Sequence, residues 1–310
     1  MNPNFPMTIV ARLGDVTVFQ TVAFADTSEA TQIAISCQQM RQIGQASYGE
    51  GNVGLHVNDH APRVLHNRIR LLAAINQHFN EQQRVPIESL NWVNQVHGNQ
   101  VYEVDTAGLN MQPADADALV SQTPNVGLAI MTADCVPIVL YQPETGQIAA
   151  IHAGWQGLAS GVIKATMARF TATGQIIAWI GDCISQENYE VSQQVSNKLL
   201  AGCIDAQLLA EEHIEQFTPL FSKVMPSEII DSNIAVSDQG IAKVHIDLPK
   251  LAHYQLLHLG IEVANEGQTC CSYADERYYS YRRQTHLQQP ATGRMAFIIA
   301  RSSVIETLCA

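Results

Sequence analysis

Short apolar runs alternate with helical patterns along most of the chain. Near the N-terminus, TIVARL and VTVFQTVAF are typical of strands. The segment PRVLHNRIRLLAAINQHF carries apolar residues at helical spacing (Val64, Leu65, Ile69, Leu72 and Ile75), which predicts a helix. The polar stretch SCQQMRQIGQ between these segments has no clear pattern and is not assigned.

The centre of the chain predicts three buried strands in succession. VGLAIM, VPIVLYQ and QIAAIHAG are short apolar runs, and PETG between the last two is a tight-turn signal. We expect these runs to form a meander.

The rest of the chain continues the alternation. LASGVIKATMARF and HIDLPKLAHYQLLHLG predict two further helices, the second ended by Gly260. IIAWIG, IEVANEG and GRMAFIIA predict strands. No internal repeat or linker divides the chain, so we expect a single domain over residues 1–310. Its predicted class is α/β (α+β), a layered sandwich around a mixed β-sheet.

Composition and charge narrow the class of protein. Of 310 residues, 46% are apolar and 15% are charged, which is a globular composition. The 17 basic and 29 acidic residues give a net charge of −12, which argues against a nucleic acid or an anionic membrane as partner. The N-terminal residues show no charged segment followed by a sustained apolar run, so we expect no secretory leader. There is no apolar window of about 18 residues, and no CxxC pair among the seven cysteines. We therefore expect a cytoplasmic location.

Three ligand-type residues lie at predicted strand ends. Cys135 follows a strand in the bend TADC, and His152 ends a later strand before GWQG. If the last two central strands pair antiparallel, Cys135 and His152 come together. His97, followed by Gly98, is a third candidate. One sulfur and two nitrogen ligands with an open fourth position are typical of a catalytic zinc site, which acidifies a bound water.

Two alternatives remain open for these residues. Buried cysteine and histidine are common core residues. Without a metal, Cys135 and His152 could form a nucleophile and base pair. Asp134, adjacent to Cys135, is interpreted as a residue that orients a ligand through a hydrogen bond.

Several segments together resemble one bacterial family. The segments, in order, are NQVHGNQV, ADADALV, MTADCVPIVL, HAGWQG, GDCISQENYEV and YYSYRR…TGRMAFIIA. They resemble the laccase-domain or multicopper polyphenol oxidase-labelled family, whose members are described as purine nucleoside phosphorylases with adenosine deaminase activity. The resemblance runs from about Asn52 to about Ile299 and leaves residues 1–48 poorly matched. It implies that His97, Cys135 and His152 are the metal ligands and that the fold is a one-domain α/β sandwich.

The chain departs from the family pattern at several points. Gln156 stands in the HAGW bend where the family usually has arginine, and Asp182 stands where it usually has proline. Extra residues lie at about Thr285 to Pro290. These departures leave the three expected metal ligands unchanged. They affect segments from which the family's substrate contacts would be inferred.

The resemblance implies a zinc-dependent purine nucleoside phosphorylase acting on adenosine, inosine and guanosine. Adenosine deamination by metal-activated water is a second implied activity. The catalytic residues would be His97, Cys135, His152 and Asp134. Candidate substrate residues are Asn52, Arg68, Arg283 and Arg294, with Arg282 as a further cation and His56 and Asp59 near the ribose. The partners would be a small-molecule nucleoside and phosphate.

Three other functions account for part of this pattern of residues. A copper-dependent polyphenol oxidase needs a blue-copper site and histidine pairs, but the eleven histidines form no HxH, so copper would be adventitious. A metal-free Cys–His hydrolase or amidase could act on cell-wall peptides. A binding module without activity would leave three ligand-type residues beside bends unexplained.

Overall fold

Two large mixed β-sheets form the centre of the molecule in the computed structural model. The structure describes residues 5–24, 44–106, 112–170, 174–224, 243–267 and 269–305. Most of the unassigned SCQQMRQIGQ stretch lies outside these residues. In the described part of the chain, none of the helices has the length and apolar character that a membrane span requires.

The first sheet has five strands and includes both ends of the described chain. Its spatial order is β1-β2-β14-β6-β3. The strands are β1 (Met7–Leu13), β2 (Val16–Thr21), β3 (Ser89–Asn91), β6 (Val126–Thr132) and β14 (Met295–Arg301). All neighbours pair antiparallel except β3 and β6, which are parallel.

The second sheet has six strands in the order β13-β9-β7-β8-β5-β4. They are β4 (Val101–Glu103), β5 (Ala118–Ser121), β7 (Val136–Gln142), β8 (Gln147–Ala153), β9 (Ile177–Ile180) and β13 (Glu262–Val263). The two outer pairs are parallel and the inner strands are antiparallel. A small third sheet has the order β10-β12-β11, from β10 (Glu190–Ser192), β11 (Ser222–Val224) and β12 (Lys243–Ile246).

The described part of the chain has eight α-helices, most of which cover the outer faces of the two large sheets. They are α1 (Ala61–Glu81), α2 (Trp155–Ser160), α3 (Val162–Met167), α4 (Gln193–Asp205), α5 (Glu211–Ile214), α6 (Phe217–Phe221), α7 (Leu248–His258) and α8 (Tyr281–His286). Helix α1 packs on the five-stranded sheet through residues that include Leu71 and Phe79. Helices α2, α3, α4 and α7 pack on the six-stranded sheet.

A third apolar layer lies between the two sheets. Leu128 and Phe297 from the first sheet belong to the same buried cluster as Val139 and Trp179 from the second. The architecture is therefore a four-layer α/β/β/α sandwich. The predicted mixed α/β class is confirmed, with two stacked mixed sheets where the sequence predicted one.

The predicted hairpin of the two later central strands is confirmed. β7 and β8 pair antiparallel, joined by a turn in which Gly146 has a φ of 69°. The expected three-strand meander is wrong, because β6 belongs to the other sheet. Every residue of β6, β7 and β8 is buried, so their apolar pattern does not tell which sheet a strand joins.

Two of the predicted helices differ in detail. LASGVIKATMARF forms α2 and α3, interrupted at Gly161, whose φ is 79°. The helix ended by Gly260 is α7, capped by the Asp247 side chain, which accepts from the Lys250 N–H at 3.1 Å.

The buried face of helix α1 matches the predicted one only in part, since Val64 and Ile75 are buried as predicted. Leu65 and Ile69 are 50% and 65% exposed, whereas Leu71 is fully buried. The buried face also contains Asn67, whose side-chain amide donates to the Asn52 carbonyl at 2.9 Å. A polar residue that bonds to the neighbouring loop thus occupies the buried stripe.

This difference gives a matched pair of substitutions on one helix. Leu71→Ala should lower the free energy of unfolding by about 2–5 kcal/mol, because it leaves a cavity against the five-stranded sheet. Leu65→Ala should change it by at most about 0.5 kcal/mol. Urea unfolding monitored by circular dichroism measures both. Equal losses would contradict the assigned face of α1.

Candidate metal centre

Cys135 lies in the segment that carries the chain from one sheet to the other. β6 ends at Thr132 in the first sheet, and β7 begins at Val136 in the second. Asp134 has a φ of 102°, a conformation rare for a residue with a side chain, so the chain turns sharply there. The Thr132 hydroxyl donates to the Cys135 carbonyl at 2.6 Å and closes the turn.

The register of the β7–β8 hairpin brings His152 beside Cys135. Pro137 pairs with His152, and Val136 pairs with Ala153. Cys135 therefore precedes the first pairs of the hairpin, opposite the end of β8. The expected convergence of Cys135 and His152 through an antiparallel pair is confirmed.

His97 completes the group from a different loop. Its φ is 62°, and its ring lies edge to face with that of His152, with 4.7 Å between ring centroids. The His97 Nε2 is 4.0 Å from the Cys135 Sγ. One ligand atom from each of the three residues lies within 4.8 Å of the other two. A single metal ion can bind all three from this arrangement.

Asp117 fixes both histidines. Its carboxylate bonds to Nδ1 of His152 at 2.8 Å, and its backbone carbonyl accepts from the His152 N–H at 2.7 Å. The same carboxylate accepts backbone N–H bonds from Val96, His97 and Gly98 at 3.3, 2.9 and 2.6 Å. With the carboxylate on Nδ1, Nε2 of His152 remains available for a metal. Histidines that bind metals usually have such a carboxylate on their other ring nitrogen.

Gly154 lies directly against two of these three side chains. A Cβ at this position would lie 3.1 Å from the Cys135 Sγ and 3.3 Å from Cδ2 of His97. Gly154 also precedes α2 as its N-cap. The backbone can approach Cys135 and His97 this closely because residue 154 is a glycine.

The charges of Cys135 and His152 are coupled. Burial raises the pKa of the Cys135 thiol, but His152 and His97 outweigh it and lower that pKa to about 6. Burial lowers the pKa of His152, but Cys135 and Asp117 outweigh it and raise that pKa to about 9. The metal-free pair is therefore a thiolate and an imidazolium near pH 7, and metal binding releases the proton.

The group opens into a cavity of about 460 Å³. Three aromatic side chains line it, from Trp155, Tyr189 and Tyr281. Arg282 and Arg294 supply positive charge. This volume and mixed lining are typical of a small-molecule site.

Asp134 forms part of the cavity wall but does not bond to a ligand side chain. One of its oxygens accepts the Ser272 hydroxyl at 2.7 Å, and the other accepts the Arg282 N–H at 2.6 Å. The orienting role predicted for Asp134 belongs instead to Asp117, which the sequence interpretation missed. The quoted segment ADADALV contains Asp117, but its alternating aspartates do not distinguish a buried carboxylate from solvated ones.

The predicted substrate residues separate into two groups. Arg294 lines the cavity, as do Arg282 and His56. Burial, Arg294 and Arg68, in that order, lower the pKa of His56 to about 4, so His56 is neutral at pH 7. Asn52 has a supporting position, because its side-chain oxygen accepts the Arg294 N–H at 2.9 Å while its amide donates to Asp59 at 2.7 Å.

Arg68 and Arg283 are not part of the cavity lining. Arg68 stacks on the Trp92 ring at 4.3 Å and donates to the Val53 carbonyl at 2.9 Å. Burial lowers the pKa of its guanidinium to about 10. The buried guanidinium of Arg283 donates to backbone carbonyls of residues 272, 273 and 278. We correct the expectation for Arg283, since these bonds turn it away from the cavity and hold the chain before α8.

Comparison with known proteins agrees with the resemblance drawn from the motifs. A family described as multi-copper polyphenol oxidoreductase laccase matches residues 34–302. The chain belongs to this family. Gln156, exposed at the cavity, is its departure from the usual pattern nearest the metal ligands.

Curated relatives in this laccase-labelled family carry another name. Purine nucleoside phosphorylase YfiH of Shigella flexneri and of Escherichia coli (strain K12) are each 31% identical over 267 residues, covering 86% of this chain and 92% of theirs. A crystal structure of a Neisseria meningitidis protein matches with a TM-score of 0.66 and 28% identity, covering 96% of this chain and 99% of that one.

The Asp117 contacts predict that this carboxylate controls metal binding. Asp117→Asn should lower metal affinity about 10- to 100-fold, because the amide cannot serve both His152 and the 96–98 backbone as acceptor. Asp115→Asn is the matched control, since Asp115 is exposed and bonds to Asn94. Competition with a chromogenic chelator measures both affinities. Wild-type affinity in Asp117→Asn would contradict the assigned role.

Proposed function

We propose that the chain is a zinc-dependent purine nucleoside phosphorylase acting on adenosine, inosine and guanosine. The observation that carries this proposal is the convergence of His97, Cys135 and His152 at the floor of a cavity with aromatic and cationic walls. The names of the curated relatives support the same reaction. Adenosine deamination is proposed as a second activity of the same centre.

The chemistry of the donor set fits zinc. Two imidazole nitrogens and one thiolate leave a fourth position for water or substrate, the pattern of catalytic zinc. Zinc, when bound, would supply Lewis acidity and lower the pKa of a coordinated water. His97, Cys135 and His152 all line the cavity, so a water or substrate in the cavity can reach the fourth position.

The cavity residues suit the two parts of a nucleoside and a phosphate. Trp155, Tyr189 and Tyr281 offer ring faces and edges on which a purine can stack. Arg282 and Arg294 place positive charge in the same cavity for the phosphate. The Arg282 side chain lies over the Tyr189 ring at 5.3 Å and donates to the Glu190 carbonyl at 2.5 Å, so its position is fixed.

Asp134 is proposed as the negative charge nearest the sugar. Breaking the glycosidic bond develops positive charge on the sugar, which a fixed carboxylate stabilises. Its two hydrogen bonds, from Ser272 and Arg282, hold the carboxylate in one orientation at the wall. Neutral His56, on the same wall, can hydrogen-bond to ribose or base without adding charge.

Copper-dependent polyphenol oxidation is a weaker candidate despite the family description. Multicopper chemistry needs a blue-copper site together with further copper ions. Within the described residues, His97, Cys135 and His152 are the one group of three or more ligand-type side chains suited to a metal. Copper in this centre would therefore be a competing occupant.

A metal-free cysteine hydrolase or amidase is the second candidate function. The thiolate and imidazolium pair of Cys135 and His152, fixed by Asp117, is the observation that favours it. It would act on amide bonds, such as those of cell-wall peptides, and would keep its activity in chelator.

The main test is phosphate-dependent release of base from inosine and adenosine by protein made without added copper. The proposal predicts that the protein contains zinc and that turnover requires phosphate. It also predicts that Cys135→Ala lowers turnover about a hundredfold or more, which exceeds the usual effect of changing a residue that only supports a ligand. Cys270→Ser, at an exposed cysteine, is the matched control and should keep full turnover. Zinc-free active protein, or turnover that survives in Cys135→Ala, would contradict the proposal. Peptide hydrolysis that persists in chelator would favour the second candidate.

A second test concerns the phosphate. Arg294→Met keeps the apolar stem and removes the charge, so it should raise the KM for phosphate about tenfold or more, the value of one charge-assisted hydrogen bond. Arg169→Met, at an exposed arginine paired with Glu103 at 3.0 Å, should leave that KM unchanged. Steady-state kinetics with varied phosphate measure both. An unchanged KM in Arg294→Met would exclude Arg294 from the phosphate site.

A further inference from the structure

Three cysteines outside the metal centre lie together behind the Asp134 turn. The segments around Cys183 and Cys271 form an isolated parallel bridge in which these two residues are paired. The Cys183 N–H donates to the Cys270 carbonyl at 3.3 Å, and the Ser272 N–H donates to the Cys183 carbonyl at 2.9 Å. Paired residues of neighbouring strands lie about 4.7–4.9 Å apart, within the Cα separation of about 4.4–6.8 Å that a disulfide needs.

The bridge geometry selects the partner of Cys271. Paired residues point to the same face of a ladder, whereas successive residues point to opposite faces. Cys271 therefore faces Cys183, and Cys270 faces away, where its thiol interacts with Tyr278. All three cysteines line a cavity of about 140 Å³, so the bridge pairing, and not access to this cavity, selects Cys183 as the partner of Cys271.

The two facing cysteines differ in character. The Cys271 sulfur, half-buried, accepts hydrogen bonds from the Ser185 N–H and the Asn188 side-chain amide, both at 3.3 Å. Burial raises the pKa of Cys271, but these donors and the Ala274 backbone outweigh it and lower the pKa below its ordinary value. Cys183 is 2% exposed, and burial, Asp182 and Cys271 raise its pKa. Cys271 is therefore the more acidic of the two thiols and the better nucleophile towards an oxidant.

Both segments of the bridge hold Asp134. The Ser272 hydroxyl donates to the Asp134 carboxylate at 2.7 Å, and the Ile184 N–H donates to the Asp134 carbonyl at 2.9 Å. Asp134 immediately precedes Cys135 and sets its turn. A change in the spacing of the bridge therefore reaches the metal centre through two hydrogen bonds.

We propose that Cys271 is a hydroperoxide-sensitive cysteine that forms a reversible disulfide with Cys183, and that this disulfide weakens metal binding by displacing Asp134. The site lies outside the cavity to which the phosphorylase function is assigned. Its effect on the centre rests on the proposed metal site, whereas formation of the disulfide does not.

The redox step balances with one hydroperoxide. The Cys271 thiolate attacks one oxygen, the O–O bond breaks, and the leaving oxygen takes a proton, which produces water from hydrogen peroxide and a sulfenic acid on Cys271. The Cys183 sulfur then attacks the Cys271 sulfur, and the S–O bond breaks. The departing hydroxide takes the Cys183 proton as a second water. The two thiols are oxidised by two electrons, and the peroxide is reduced by two.

Peptide mapping of the full zinc-loaded protein after treatment with hydrogen peroxide tests the disulfide. The expected product is a peptide pair joined through Cys183 and Cys271, reversed by dithiothreitol and retained in Cys270→Ser. It should be absent in Cys183→Ser and Cys271→Ser. In the reduced protein, the pH midpoint of iodoacetamide alkylation should be lower for Cys271 than for Cys270. A Cys270–Cys271 link, no link, or equal midpoints would overturn the assignment.

Zinc release tests the connection to the metal centre. Peroxide also oxidises metal-ligating cysteine, so the informative quantity is the difference between wild type and Cys183→Ser, in which Cys135 is unchanged. Wild type and Cys270→Ser should release more zinc than Cys183→Ser. Dithiothreitol should allow the protein to bind this additional zinc again. Equal release from all three would overturn the connection. Neither readout depends on nucleoside turnover, so failure of the phosphorylase function is distinguishable.

Discussion

The buried carboxylate of Asp117 is the interaction on which the arrangement of the site depends. A buried charge is costly unless its hydrogen bonds are satisfied, and Asp117 satisfies its own with His152 and the N–H groups of residues 96–98. Burial raises the pKa of Asp117, but His152 and these N–H donors outweigh it and lower the pKa. The same bonds that keep this carboxylate ionised hold the two histidines at the distance a metal requires.

The four-layer architecture explains why the centre opens where it does. The chain passes from the five-stranded to the six-stranded sheet at Asp134, and the ligands lie at this crossing. The cavity forms at this crossing, at the edge of the packed core. It is bounded by strand ends from both sheets, by the loop that contains His97 and by the start of α8. The segments of the Cys183–Cys271 bridge also contact this crossing. Ser272 and Ile184, which adjoin the two cysteines, both donate hydrogen bonds to Asp134.

The sequence predicts those parts of the site that local geometry determines. Cys135 and His152 converge because a short turn fixes an antiparallel register between adjacent strands. His97 is a candidate from its position before Gly98 at a predicted strand end, but nothing local indicates that its loop returns to the hairpin. Asp117 was missed because its role depends on three backbone groups distant in sequence. Arg282 and Arg283 are adjacent and alike in sequence, and only the packing of α8 separates the cavity residue from the buried one.

X-ray absorption at the metal edge of protein purified without added copper tests the central claim most directly. The account predicts zinc bound by one sulfur and two imidazole nitrogens, with one lighter ligand at the remaining position. Cys135→Ala should lose the sulfur contribution, whereas Cys270→Ser should keep it. A copper edge in place of zinc, or zinc without a sulfur neighbour, would contradict the assignment of His97, Cys135 and His152 as a catalytic zinc centre.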